Sequence, residues 1–232
     1  MESKPRMLVI LDVVTVLLFL TAVGMVFFYA PLEAVMGQVQ RVFYFHVANA
    51  WVGMLGFMVA AIAGIAFLRK GDRKWDIVGL AAIEISFVFF FTAIISGSIW
   101  ARGSWGTWWT WDPRLTTAAI CELVYAAYFL LRQGIEDPDR RARFGAVYAI
   151  LSFISVPLTF ISIRIFRTIH PVIIGSGAAG AEGSFEMSSK MLLTFIFSLV
   201  TFSFIFADLL WHRIRLGKLA DETESLRLKT LQ

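Results

Sequence analysis

Six long runs of apolar residues divide this sequence, and their length constrains the fold more than any other feature. Each run is close to the roughly 20 residues that an α-helix needs to cross a lipid bilayer. Because lipid offers the backbone no hydrogen-bonding partners, such runs are expected to be helical. The runs occupy positions 8–30, 45–68, 77–99, 116–131, 145–165 and 188–211. We therefore predict an all-α, polytopic membrane protein, a six-transmembrane-helix bundle in a single domain over residues 1–232.

The composition agrees with a protein that is embedded in lipid. Of the 232 residues, 58% are hydrophobic and 22 are phenylalanine. A soluble protein with so much apolar surface would aggregate. The first run is longer than the roughly 7–15 apolar residues of a cleaved signal peptide, so we expect it to remain as a transmembrane helix.

The positive charges are distributed unevenly between the two sides of the predicted bundle. Most of the 21 Lys and Arg residues lie in the segments before the first run, after the second, after the fourth and after the sixth. Loops rich in Lys and Arg usually stay in the cytoplasm. We therefore expect both termini to be cytoplasmic, with 212–232 as a short cytoplasmic tail. The net charge of +4 reflects this bias and does not indicate nucleic-acid binding.

Two of the three histidines fall on the outer side, His46 at the start of the second run and His170 after the fifth. His212 falls on the cytoplasmic side. Imidazole is a common axial ligand of haem iron, and two imidazoles from different helices would clamp a flat macrocycle without covalent attachment. A structural zinc site usually needs four protein ligands, often Cys, whereas the only cysteine, Cys121, lies inside the fourth run. We therefore predict that His46 and His170 are axial ligands of a haem iron.

The outer segment 100–115 is crowded with tryptophan, at positions Trp105, Trp108, Trp109 and Trp111. Indole rings offer large, flat, rigid apolar surfaces with one N–H each, which suits the floor of a haem site. If this segment is helical, the first three of these residues share one face.

Asp112 and Pro113 follow the tryptophans. The residue before a proline is disfavoured in helical conformation, so we expect the fourth helix to begin near Leu115 or Thr116.

Three small residues precede the tryptophans, namely Ser96, Gly97 and Ser98, and they suit close packing between helices.

Haem carries two propionates, which a guanidinium group can hold in bidentate fashion. Arg41, shortly before His46, and Arg114, next to Pro113, are the best-placed candidates. Arg164 and Arg167, upstream of His170, are weaker ones.

The tryptophan string resembles a known motif. The pattern W-G-x-x-W-x-W-D, called the WWD motif, marks the haem-handling membrane proteins of cytochrome c biogenesis, and six spans with one histidine on each side of the motif are similar to the CcmC family. The motif positions are filled by Trp105, Gly106, Trp109, Trp111 and Asp112. The resemblance covers essentially the whole chain. It implies that haem b binds non-covalently between His46 and His170, in contact with the motif and with Arg41 and Arg114.

The resemblance also implies a cellular role. Such proteins lie in the bacterial inner membrane with the haem site facing the periplasm, and they load haem onto a periplasmic chaperone, CcmE. They work in a complex with the ABC-type partners CcmA and CcmB and the small membrane protein CcmD. The sequence offers no evident catalytic nucleophile or base, so we expect a haem-transfer protein rather than an enzyme.

Two other functions remain open at this point. A bis-histidine membrane cytochrome would move electrons, although such carriers usually need two haems and four histidines. A transport permease would bind no haem and would use the aromatic segment as an anchor. Ionisable residues within spans are functional suspects by default, and for Glu84 and Glu122 we favour hydrogen bonds between helices. The glycine-rich stretch 175–180 has the composition of a linker.

Overall fold

The structure is a computed structural model that describes residues 4–33, 36–171 and 187–230. The glycine-rich stretch 175–180 lies outside these residues. Seven α-helices run through the described part, and no β-strand occurs in it. They are α1 Arg6–Gly24, which continues into a π-helical turn Met25–Tyr29, α2 Gln40–Lys70, α3 Arg73–Trp105, α4 Pro113–Gln133, α5 Pro138–Ser152, α6 Ser155–Ile165 and α7 Ser189–Thr230. With α5 and α6 as one span, six segments are long and apolar enough to cross a membrane, which confirms the predicted six-span helical bundle.

Helix α4 begins at Pro113, earlier than the expected start near Leu115. The carboxylate of Asp112 caps the helix by accepting a hydrogen bond of 2.9 Å from the backbone N–H of Arg114. Proline is favoured at the first helical position, because its fixed φ suits a helix and its missing N–H would have no partner there. The Asp-Pro pair therefore marks the beginning of α4, whereas we had expected it to delay the helix.

The predicted loop 100–115 is shorter in the structure. Helix α3 continues to Trp105 and ends at Gly106, whose φ of 74° lies in the left-handed region that favours glycine. The chain from there to Asp112 is not helical. The condition for a shared helical face of Trp105, Trp108 and Trp109 is therefore not met.

The fifth span consists of two helices. Helix α5 ends at Ser152, and α6 begins at Ser155. Pro157, in the first turn of α6, has no N–H to donate to the carbonyl of Phe153, and its ring would clash with that carbonyl in a continuous helix. The break thus has a local cause in the sequence.

Helix α7 passes beyond the apolar run and continues to Thr230. The tail 212–232 is therefore helical as far as it is described, and most of its side chains are exposed. Its cytoplasmic location stays a prediction, as does the treatment of 1–232 as one domain.

The antiparallel pair α2–α3 forms the centre of the bundle. Small residues permit this close approach: a Cβ on Gly53 would lie 2.7 Å from Cβ of Phe90, and a Cβ on Gly56 would lie 1.8 Å from Oγ of Ser86. Helices α5 and α7 pack against α2, and α1 packs against α7. Helix α6 packs mainly on α4. At the end of the bundle where the tryptophans lie, a gap separates the α4–α6 pair from α2, α3 and α7.

Charged side chains join the helices at the end of the bundle opposite the tryptophans. Arg132 of α4 donates to both carboxylate oxygens of Asp76 of α3, at 2.6 and 3.1 Å. Arg213 of α7 donates to Glu84 of α3 at 2.9 Å, in agreement with the expected inter-helix hydrogen bond. Glu122 is also buried, but neither of its oxygens has a hydrogen-bonding partner among the described residues. The hydrogen bond that we favoured for Glu122 is therefore not found there.

Candidate functional site

A cavity of about 330 Å³ occupies the gap between the two groups of helices, at the end where the tryptophans lie. Helices α2, α3, α4, α6 and α7 all contribute to its wall. Apolar side chains form most of the lining, among them Met54, Phe90, Ile163, Phe195 and Leu199. Known ligand pockets occupy roughly 300–1,000 Å³ and are likewise apolar, with a few polar groups that orient the ligand. The cavity therefore has the size and character of a small-molecule site.

His46 projects into this cavity from the second turn of α2. Its Nδ1 lies 2.9 Å from the carbonyl oxygen of Ala93 on α3. Because a carbonyl only accepts hydrogen bonds, Nδ1 must carry the proton, which leaves the lone pair on Nε2. Gly97 lies directly against the ring, since a Cβ there would be 2.8 Å from Cε1 of His46. The backbone of α3 thus sets both the tautomer and the position of this imidazole.

His170 lines the same cavity from the segment that follows α6. Its Nδ1 lies 3.0 Å from the carbonyl oxygen of Pro171, so its proton is also on Nδ1 and its lone pair on Nε2. Burial lowers the pKa of His170 to about 3, and the nearby Arg114 and His46 act in the same direction. The imidazole is therefore neutral at physiological pH, which is the form that binds a metal.

Asp112 holds the segment that carries His170. Besides capping α4, its carboxylate accepts hydrogen bonds from the Thr168 hydroxyl at 2.7 Å and from the Ile169 backbone N–H at 2.9 Å. The backbone N–H of His170 in turn donates to the Thr168 hydroxyl at 3.0 Å. Asp112 and Thr168 are both buried. Asp112 itself lies outside the described lining of the cavity, so its predicted contact with haem stays a prediction.

The tryptophans divide into two sets. Trp105 and Trp109 line the cavity together with Trp100, which packs edge-on against Trp105. The indole N–H of Trp100 is buried without a hydrogen-bonding partner in the part of the chain that the structure describes. Trp108 and Trp111 are 59% and 79% exposed and are not among the described lining residues. The structure thus brings only part of the predicted aromatic platform to the cavity.

Only some of the arginines predicted to bind propionates line the cavity. Arg114 lines the cavity, donates to the carbonyl of Thr159 at 2.8 Å and lies over the ring of Phe160. Arg164 also lines the cavity. Arg41 lies outside the described lining, with its guanidinium over the ring of Phe27, and its part in propionate binding stays a prediction.

His212 lies at the other end of the bundle, where its Nε2 is 2.8 Å from a carboxylate oxygen of Asp12 and 3.7 Å from one of Asp208. It therefore plays no part in the cavity. The structure brings together the two histidines that the sequence analysis selected and separates them from the third.

The cavity offers two imidazoles, two guanidinium groups and a mostly apolar wall that includes indole rings. This donor set fits a flat apolar macrocycle that carries a metal and carboxylates. Thr168 was not among the site residues predicted from the sequence, and Gly97 was predicted only to allow close helix packing. The signal for Thr168 was its place two residues before His170, where a hydroxyl can hydrogen-bond to the backbone.

Comparison with known proteins identifies the family of this chain. The family model described as heme exporter protein C matches residues 1–229. The chain is 30% identical over 203 residues to heme exporter protein C of Bradyrhizobium diazoefficiens, and the aligned region covers 88% of this chain and 74% of that protein. It is 33% identical over 159 residues to heme exporter protein C of Rhodobacter capsulatus, 66% of each chain. It is 27% identical over 218 residues to that of Haemophilus influenzae, 92% of this chain and 86% of that protein. The chain therefore belongs to the heme exporter protein C (CcmC) family.

Proposed function

We propose that this protein binds haem b non-covalently in the cavity, with His46 and His170 as axial ligands of the iron. One observation carries the proposal: two imidazoles line a single apolar cavity, and a backbone carbonyl holds the Nδ1 proton of each. Both Nε2 lone pairs are thereby available for a metal.

The other lining residues support haem as the ligand. Trp105 and Trp109 offer flat apolar surfaces for the macrocycle. Arg114 would pair with a propionate, because its guanidinium lines the wall and can hold a carboxylate by charge-assisted hydrogen bonds. Haem is the cargo of this site and is held without a covalent bond, since the sequence has no C-x-x-C-H haem attachment site.

The family assignment supports a role in haem export or cytochrome c maturation. We infer that the chain sits in the bacterial inner membrane with the cavity towards the periplasm. From there it would deliver haem to the periplasmic chaperone CcmE, in a complex with CcmA, CcmB and CcmD. Axial ligation by neutral imidazoles suits a transfer protein, because these bonds can be exchanged for those of an acceptor.

The test is an absorption spectrum of the full chain purified from its membrane, in wild type and in variants of the three histidines. We expect a Soret band with the signature of low-spin iron in wild type. Each of His46→Ala and His170→Ala should shift the band towards high-spin iron, because one axial ligand is missing. The double variant should lose most of the pigment.

His212→Ala is the matched control, since it is the same substitution at the opposite end of the bundle, and its spectrum should equal that of wild type. A pigment-free wild type, or an unchanged spectrum in the double variant, would contradict haem ligation.

Copurification with CcmE distinguishes a haem-transfer function from an electron-transport function. A trapped haem-linked complex supports transfer, whereas rapid reduction by quinol without any bound chaperone favours a bis-histidine cytochrome.

A further inference from the structure

We propose that Asp112 is a positioning residue, which holds the segment 166–171 so that His170 can serve as an axial ligand. This inference rests on the proposed haem-binding function, and it gives the aspartate of the tryptophan motif a role that does not require contact with haem.

The geometry supports a clamp rather than a direct contact. One carboxylate accepts three hydrogen bonds, from the N–H of Arg114, the hydroxyl of Thr168 and the N–H of Ile169. The first belongs to α4, and the other two belong to the segment that carries His170. Asp112 therefore joins two parts of the cavity wall that are 56 positions apart in the chain.

The clamp reaches His170 through Thr168. The hydroxyl of Thr168 donates to Asp112 and accepts from the backbone N–H of His170 at 3.0 Å. Thr168 is only 2% exposed, so water does not compete strongly for these hydrogen bonds. The N–H of Phe166 still donates to the carbonyl of Ser162 at 2.9 Å, and the rest of the segment lies beyond the last turn of α6. The position of the His170 imidazole thus depends on these side-chain hydrogen bonds.

Capping of α4 alone does not account for the arrangement. An N-cap needs one acceptor for one backbone N–H, and Asn serves as well as Asp. Here both carboxylate oxygens accept, Oδ1 from Arg114 and Thr168 and Oδ2 from Ile169. An asparagine that caps α4 through Oδ1 would turn its NH2 group towards the N–H of Ile169, so this second bond to the segment would be lost.

This difference defines the test. Asp112→Asn keeps the cap and weakens the clamp, and Thr168→Val removes the bridging hydroxyl without touching the cap. Thr117→Val is the matched control, because the Thr117 hydroxyl bonds to Pro113 and lies 3.4 Å from Ser162, with no bond to the segment. The full chain is purified with each substitution, and haem affinity and the low-spin fraction are measured.

We expect Asp112→Asn and Thr168→Val to weaken haem binding about 10- to 100-fold, the usual effect of losing a partner that orients a metal ligand. The remaining haem should shift towards high-spin iron. Added imidazole should restore the low-spin spectrum by replacing His170, which it could not do in a collapsed cavity. Thr117→Val should behave as wild type.

A second readout needs no haem. Hydrogen–deuterium exchange of the haem-free protein should be faster over 166–171 in the two clamp variants than in wild type or Thr117→Val. Unchanged exchange together with wild-type haem ligation would overturn the inference, as would an equal loss in Thr117→Val. If wild type holds no haem, the proposed function fails, and the exchange rates still decide whether Asp112 fixes the segment.

Discussion

At the scale of single residues, backbone carbonyls decide the chemistry of the two histidines. His46 bonds to the carbonyl of Ala93, and His170 bonds to the carbonyl of Pro171. Both contacts place the proton on Nδ1, although they come from different parts of the chain. An imidazole that is held in this way offers Nε2 to a metal with little further rearrangement.

Gly97 permits the position of His46 and provides a residue-scale prediction. In Gly97→Ala, the new Cβ would lie 2.8 Å from Cε1 of His46, too close for the present ring position. We expect the imidazole to shift, the low-spin haem signal to fall and the free energy of unfolding to drop by about 1–3 kcal/mol, as is typical of overpacking. Absorption spectra and unfolding in detergent measure these effects.

Gly79→Ala is the control, because it makes the same change in α3 where a Cβ would have its nearest neighbour at 3.7 Å, an ordinary contact. It should preserve the haem spectrum. An equal spectral change in both variants would show that the close approach at Gly97 is not responsible.

At the scale of helices, short polar signals set the ends, and buried charges join neighbours. Asp112 with Pro113 begins α4, and Gly106 ends α3. Near the other end of the same two helices, Asp76 and Arg132 form a bidentate pair with side chains only 7% and 10% exposed. Such a pair fixes how α3 and α4 meet, because neither charge can be left alone in an apolar interior.

If the Asp76–Arg132 pair stabilises the fold, single substitutions should lower the free energy of unfolding more than the double substitution does. Asp76→Asn or Arg132→Met alone should lower the free energy of unfolding by about 3–5 kcal/mol, since each leaves an uncompensated or poorly satisfied buried group. The double variant should recover much of that loss, because no unpaired charge remains. Titration with a denaturing detergent measures the differences.

The exposed pair Arg73–Asp221 supplies the comparison, with side chains 35% and 44% exposed. Asp221→Asn should cost less than about 1 kcal/mol, because solvent screens the pair. If Asp76→Asn costs no more than Asp221→Asn, the buried pair does not determine the contact between α3 and α4.

At the scale of the whole molecule, the path of the chain brings the site together. Successive spans run in opposite directions along the bundle. The same end of the bundle therefore holds the starts of α2 and α4 and the ends of α3 and α6. His46, the tryptophan segment and His170 therefore meet although they are far apart in sequence. The gap between the α4–α6 pair and the other helices then forms the cavity.

The charge distribution predicts the orientation of this bundle. In a chain without Cys121, a cysteine placed at Thr107 should react with a membrane-impermeant maleimide in intact cells whose outer membrane has been made permeable. A cysteine at Thr223, on the exposed tail helix, should react only after lysis. Labelling of Thr223→Cys in intact cells would reverse the predicted topology, and the Cys121→Ala parent serves as the unlabelled control.

The sequence was sufficient to predict six helical spans and the two histidines of the cavity. Hydrophobic length is a local property, since it depends only on consecutive residues and on bilayer thickness. Counting the spans between the histidines was enough to predict that His46 and His170 lie at one end of the bundle and His212 at the other. The tryptophan motif could also be recognised from the sequence, because its residues are close together in the chain.

Other features were decided only by the tertiary structure. Which tryptophans face the cavity depends on the turn at Gly106 and on the packing of α3 against α2, so Trp105 and Trp109 line it while Trp111 remains exposed. The bonds from Asp112 to Thr168 and Ile169 join segments that no local pattern relates. Hydrogen bonds between distant segments arise only when packing brings the groups within about 3 Å, and a linear sequence does not state that distance.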